Sequence, residues 1–245
     1  MDRSVVNLHN HTPFSDGALS IDELCEAHLK LPGVKVEAIG ICDTLFCTPT
    51  SRPIENERQF QQLFRSEARE YVNMVQQARR HWQGRLHLFC GCEIHWNFNK
   101  TMLGSVRQIL AELEIDYVMF SGLDWAGLTQ LANQARTLQR PVGLARTDVG
   151  SAFPNTPMEQ VVRTMANARI FWELTPDQFA QRLCDPWCNV LQGHKVRVAV
   201  GTDTHDDDSC LKNLKGMYDY LDAKKLTDKI FIPEPRRVMA EAASA

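Results

Sequence analysis

Along the chain, short runs of apolar and β-branched residues alternate with longer stretches in which apolar residues recur every three or four positions. The short runs predict strands at 4–8, 37–42, 86–93, 116–120, 141–145, 169–174 and 196–201. The longer stretches predict helices near 20–31, 57–82, 101–114, 126–139, 157–167, 176–193 and 207–224. Ser20-Ile21-Asp22-Glu23 opens the first helix with a capping-box signature. The 57–82 stretch is long and mostly polar, which places it as an exposed helix on the outside of the domain. Strand–helix alternation predicts an α/β fold with a parallel sheet and crossover helices. Seven such units close most simply into a barrel, although an open doubly wound sheet shares the local pattern. In both, chemistry sits where the strands end.

At 245 residues the chain fits one domain, with a core at about 4–225 and a C-terminal docking segment and tail at 226–245. A formal net charge of −3 gives no electrostatic footprint for general nucleic-acid or membrane binding. No run approaches the roughly 18 apolar residues of a membrane span, and the N-terminus lacks a basic-then-apolar leader, so a cytoplasmic protein is expected. None of the eight cysteines forms a C-x-x-C pair, which fits reduced thiols. Cys184 and Cys188, four apart on a helix, read as packing of small apolar groups rather than a shared metal.

The strand ends carry the candidate chemistry. The first strand runs into "VVNLHNHTPFSDG", where His9 and His11 fall on the same side and Asp16 follows. Imidazole nitrogens at that spacing suit a first-row metal. Later strands end on Asp43 and Thr44, Glu93, Asp124, Arg146 and Asp148, Glu173 and Thr175, and Asp203 and His205. Helix N-capping accounts for Asp148, Asp177 and the 206–208 acids. It does not account for Glu93 at the end of an apolar run, or for Asp203-x-His205, which mirrors His9-x-His11. His28, His81 and His194 read as packed or solvated. Trp96 and Trp125 stand where they would flank a planar substrate group or cover the mouth. The 46–57 loop, with Arg52, reads as a connection or a lid.

Four stretches in order, "LHNHTPFSDG", "IGICDT", "GCEIHW" and "AVGTDTH", resemble the motifs of the PHP (polymerase and histidinol phosphatase) metal-dependent phosphoesterases. The resemblance covers most of the chain, from the first strand to about residue 210. It implies a distorted (β/α)7 barrel of TIM-barrel type with up to three divalent ions (zinc, manganese or iron) at the strand ends. Carried over by position, His9, His11, Glu93 and Asp203 form a first site, and Asp16 and His205 belong to a second. Three histidine positions of the family depart here: they hold Thr44, Leu123 and Arg146, with Asp124 one step past the second as a substitute ligand. Threonine is a weak ligand, leucine none, and arginine a permanent cation. One well-formed site with fewer than three ions is therefore expected.

The reaction this implies is hydrolysis of a phosphate ester by metal-activated water. Its substrate would be a small phosphorylated metabolite, a nucleotide or a nucleic-acid end. Arg146, in place of a missing ion, and Arg52 would bind the phosphate, and Asp16 or His205 would serve as general acid. The alternative is a catalytically impaired barrel acting as a binding or regulatory subunit. A third reading, an amidohydrolase-like metal enzyme, lacks its intermediate histidines and its strand-end lysine.

Overall fold

The fold was obtained as a computed structural model that describes residues 3–47 and 56–234. Its strands are β1 (Arg3–Asn7), β2 (Val34–Ile41), β3 (Thr44–Leu45), β4 (His87–His95), β5 (Tyr117–Ser121), β6 (Val142–Leu144), β7 (Ile170–Leu174) and β8 (Val198–Val200). All pair in parallel in the order β1-β2-β4-β5-β6-β7-β8, and the two-residue β3 pairs with the upper end of β4. The helices are α1 (Ile21–Leu29), α2 (Glu57–His81), α3 (Trp96–Asn99), α4 (Leu103–Ala111), α5 (Trp125–Gln134), α6 (Val149–Ala152), α7 (Met158–Ala168), α8 (Pro176–Ala180), α9 (Asp185–Leu191) and α10 (Leu214–Ala223).

The sheet curls into a nearly closed barrel. Along the upper seam Leu8 N donates to Val200 O at 2.8 Å, Asp203 N to His9 O at 2.9 Å and His11 N to Thr204 O at 2.9 Å. Lower down β1 and β8 separate, and the Tyr218 hydroxyl of α10 lies 2.8 Å from Val6 N and 2.7 Å from Val6 O. Phe231 N meanwhile donates to Val198 O at 2.7 Å, so the segment after α10 covers the free edge of β8. Backbone groups that a regular ladder would pair are thus satisfied by other means.

Inside the barrel, Val6, Leu8, Phe89, Tyr117, Met119 and Phe171 pack together, and Phe231 closes the floor, stacked on Phe171 at 4.1 Å. The Tyr117 ring fits only because its neighbours lack side chains. A Cβ on Gly40 or Gly91 would come within 2.0 or 2.3 Å of it. The larger core lies between barrel and helices. There α2 buries Phe60, Phe64, Ala68, Tyr71, Val72 and Val75 on one stripe and turns its polar remainder outward.

Three expectations are corrected. The predicted helix at 176–193 is two helices, because Arg182 turns left-handed (φ 54°) and Pro186 is tolerated only in the first turn of α9. The 126–139 helix tightens into a 3₁₀ turn over Ala135–Leu138 and stops at left-handed Gln139. The 37–42 strand begins three residues earlier, at Val34, since the turn at Gly33 (φ 75°) has already released the chain.

One buried polar knot supports the seam. Asn7 Oδ1 accepts from Thr202 N at 3.0 Å, and Asn7 Nδ2 faces Thr202 Oγ1, Asn10 Oδ1 and His28 Nε2 at 2.6, 2.9 and 2.8 Å. His28 Nδ1 donates to Leu24 O at 2.7 Å, which leaves Nε2 as an acceptor on a neutral ring. Burial pushes the His28 pKa down from 6.5 to about 4, against the pull of the Leu24 carbonyl. A folded-state pKa below the unfolded one means that the unfolded chain takes up the proton first as pH falls. Stability should therefore drop between about pH 6.5 and pH 4, by about 3 kcal/mol for this group. His28→Gln should remove that share of the acid sensitivity. Urea unfolding at pH 7 and pH 4.5 checks it, and an identical acid loss in the variant would contradict this role.

Candidate metal centre

The strand ends of β1, β4 and β8 converge on one point. His9 Nε2 lies 2.9 Å from His11 Nε2 and 3.1 Å from Glu93 Oε2. Asp203 Oδ1 lies 3.5 and 3.4 Å from the two imidazole nitrogens. One donor atom from each of His9, His11, Glu93 and Asp203 falls within 4.8 Å of the others. A second group, His11, Asp16 and His205, meets the same criterion and shares His11 with the first. His11 Nδ1 is 3.0 Å from Asp16 Oδ1, and the His205 ring stacks on that of His11 at 4.0 Å.

Behind the ligands stands Glu173, which closes β7 and is fully buried. Its Oε1 takes His9 Nδ1 at 2.7 Å, which fixes the proton on Nδ1 and aims the Nε2 lone pair at the cluster. Its Oε2 accepts from Arg146 N at 2.8 Å, holding that residue in a left-handed turn (φ 48°). This packing requires Gly201: a Cβ there would lie 2.0 Å from Glu173 Oε1 and 2.6 Å from His9 Cβ. Glu173 counts among the strand-end acids of the sequence, but without the fold nothing marks it as the partner of His9. Asp203 is left-handed as well (φ 50°), a strained backbone of the kind that gathers at functional sites.

Arg146 lies across the open edge. Its Nη2 is 2.6 Å from Glu93 Oε1 and its Nη1 is 3.5 Å from Asp203 Oδ2. Burial alone would lower the His9 pKa, but Glu173, then Glu93 and Asp203, hold it well above the ordinary imidazole value. His11 is raised in the same way by Asp203 and Glu93 against its burial. Burial would raise the Glu93 carboxyl, yet His11, His9 and Arg146 keep it far below the carboxylate range. Asp203, also opposed by burial, is brought down to about 2 by His11, His9 and Arg146.

The donor set fits a divalent cation. Two imidazoles and two carboxylates converge, and Asp203 Oδ1 is buried without a hydrogen-bond partner among the described residues. The packed negative charge that draws protons onto His9 and His11 would equally hold an ion.

Other expected positions do different work. Asp124 is exposed and caps α5, accepting from Gly127 N at 2.7 Å, so it stands outside both donor groups. Its backbone is already extended for that role, and the metal expectation for it is corrected. Asp43 spends both oxygens on the loop after β1, taking Thr12 N, Thr12 Oγ1 and Ser15 Oγ at 2.7, 2.8 and 2.6 Å. Thr44 pairs with Glu93 in the sheet and Leu123 is core. Trp96 is buried against Phe120 and cannot flank a substrate, while Trp125 is half-buried edge-on to Phe153. Cys184 and Cys188 pack in the helical layer, outside both groups. Arg52 and most of the 46–57 loop lie outside the described residues.

No protein-family model matches the chain, and no curated sequence matches it. Solved structures do. Histidinol phosphate phosphatase of Lactococcus lactis, solved with zinc, L-histidinol and phosphate, aligns with a TM-score of 0.60 at 16% identity, covering 91% of this chain and 92% of that one. A putative histidinol phosphatase of Listeria monocytogenes aligns at 0.57 and 10% identity, over 87% and 100% of the two chains. A chain of archaeal ribonuclease P, solved with mature tRNA, aligns at 0.53 and 10% identity, over 92% and 84%. These likenesses show a shared barrel fold.

Two variants probe the construction of the centre. Gly201→Ala should drive Glu173 away from His9 and weaken divalent-ion binding roughly 10- to 100-fold. Arg146→Ala should do the opposite, tightening it roughly tenfold by removing a cation beside Glu93 and Asp203, while weakening phosphate binding. Calorimetric titration with Zn²⁺ or Mn²⁺, then with phosphate, reads both effects. Unchanged ion affinity in both variants would mean that the ion sits elsewhere.

Proposed function

We propose that this chain is a metal-dependent phosphoesterase acting on a small phosphorylated substrate. The observation that carries the reading is the convergence of His9, His11, Glu93 and Asp203 at the strand ends of the barrel, with the Arg146 guanidinium on their open edge. The zinc and phosphate of the Lactococcus phosphatase, a barrel of the same fold, support it.

His9, His11, Glu93 and Asp203 would hold the first ion, and His11, Asp16 and His205 are placed to hold a second. Zinc, manganese or iron bound there would supply a Lewis acid for a phosphoryl oxygen and lower the pKa of water. The chain itself provides orientation and charge. Glu173 keeps the His9 proton on Nδ1, away from the reacting face. Arg146 is 40% exposed, so its guanidinium can take a phosphate oxygen without leaving Glu93. With the second position empty, Asp16, 64% exposed, and His205, 23% exposed, stand 3.5 Å apart at the rim, where one of them would protonate the leaving oxygen. Arg146 holds one oxygen of Glu93, which leaves the other, Oε2, for the ion and favours fewer than three ions.

The test is metal analysis of protein purified without chelators, paired with hydrolysis of p-nitrophenyl phosphate and its diester. At least one divalent ion per chain is expected, together with turnover. Both should be lost in His9→Ala, and Asp203→Asn should lower kcat/KM roughly a thousandfold or more. A bound ion with no turnover on either ester would favour the binding-subunit reading. Protein that binds no divalent ion at all would sink the proposal.

A further inference from the structure

At the opposite end of the barrel a cavity of about 760 Å³ opens among the N-terminal ends of β6, β7 and β8. Ile170, in its wall, and Glu173, behind His9, are three residues apart on β7, or about 10 Å, with the packed barrel interior between the two ends. The cavity therefore belongs to no part of the metal centre. Its lining includes Arg136, Arg140, Arg169, Lys195 and Arg197, and no carboxylate among the described residues. The chain as a whole carries a formal charge of −3, so this concentration of one sign is local.

An ordinary solubilising surface mixes charges, because like charges gathered in a concavity repel one another. Arg136, Arg169, Lys195 and Arg197 form no ion pair among the described residues. The Arg140 guanidinium is buried and fixed, its Nη2 donating to Leu113 O at 2.9 Å and Leu110 O at 3.2 Å. Arg169 and Gln139, both on the cavity wall, are left-handed (φ 59° and 54°) at helix ends where glycine is the unstrained choice. Two of the other left-handed residues, Arg146 and Asp203, belong to the metal centre. Between the cations the wall is apolar, with Pro141, Ala168 and Phe231. The Arg197 guanidinium lies 5.4 Å from the centroid of the Phe231 ring.

We infer that this cavity is a second, separate binding site for a nucleotide-sized organic phosphate. Its charged groups would meet Arg169, Lys195 and Arg197, and its apolar part would lie against Pro141 and Ala168. The volume is within the range of small-molecule sites. The inference does not depend on the metal centre and stands or falls without it.

The test is calorimetric titration of the full chain in EDTA with ADP and, separately, with inorganic phosphate, for the parent protein, Arg169→Gly, Lys195→Ala and Arg146→Ala. One ADP per chain is expected, bound at least tenfold more tightly than phosphate. Affinity should fall at least tenfold in Arg169→Gly and in Lys195→Ala and stay unchanged in Arg146→Ala. Arg169→Gly also relieves a left-handed arginine, so its melting temperature should rise, which separates loss of binding from loss of fold. Absence of saturable ADP binding overturns the inference. So does a loss confined to Arg146→Ala, which would put the nucleotide at the metal centre. Displacement of ADP by an RNA oligonucleotide binding a hundredfold more tightly would also overturn it, by assigning the surface to nucleic acid.

Discussion

The contact on which the centre depends is the hydrogen bond between Glu173 and His9, made where neither side chain reaches water. A carboxylate buried in this way is tolerated only if every lone pair facing the protein finds a donor or a cation. That requirement reaches outward in several directions. It holds the His9 ring in one tautomer, it draws the Arg146 amide into a left-handed turn, and it leaves no room for a side chain at Gly201. Three residues far apart in the chain are thus fixed by one buried side chain.

Arg146 shows how the same space can be neutralised in two ways. An imidazole there would be neutral and could hold an ion, whereas a guanidinium brings its own permanent charge on a covalent tether. Its ion pair with Glu93 is partly desolvated and paired on both sides, unlike the exposed pairs scattered along α2. A tethered charge cannot be removed by a chelator or exchanged for another metal. Nor can a guanidinium bind and polarise water as a metal ion does.

Much of this arrangement is legible in the sequence because it rests on local rules. The alternation of short apolar runs with helical periods marks every strand of the barrel except the two-residue β3, and the spacing of His9 and His11 puts both on one side of the chain end. What escapes is what depends on contacts between distant elements. Glu173 looks like any other strand-end acid until barrel closure brings its side chain, across β8, to that of His9. Asp124 shows the opposite failure: its local cap on α5 competes with a reading as ligand, and the local hydrogen bond to Gly127 wins. Trp96 is a third case, since aromatic character says nothing about which way a short helix will turn its ring. The break between α8 and α9 was signalled by Pro186, but the left-handed turn at Arg182 has no local signature of the kind glycine or asparagine would leave.

The seam between the first and last strands also has a temporal meaning. Asn7 and Thr202, which meet across it, are 195 positions apart, so bringing them together closes a loop that contains most of the molecule. Contacts of such long sequence separation form late in folding, after the local helices and neighbouring strand pairs have reduced the entropy of the intervening chain. Asp203 lies on that same seam, its amide bonded to His9 O, so the donor cluster comes together only when the first and last strands meet. During synthesis, the two histidines of β1 leave the ribosome long before Asp203 exists. A growing chain therefore carries two of the four donor residues, and the cluster is complete only once the barrel shuts.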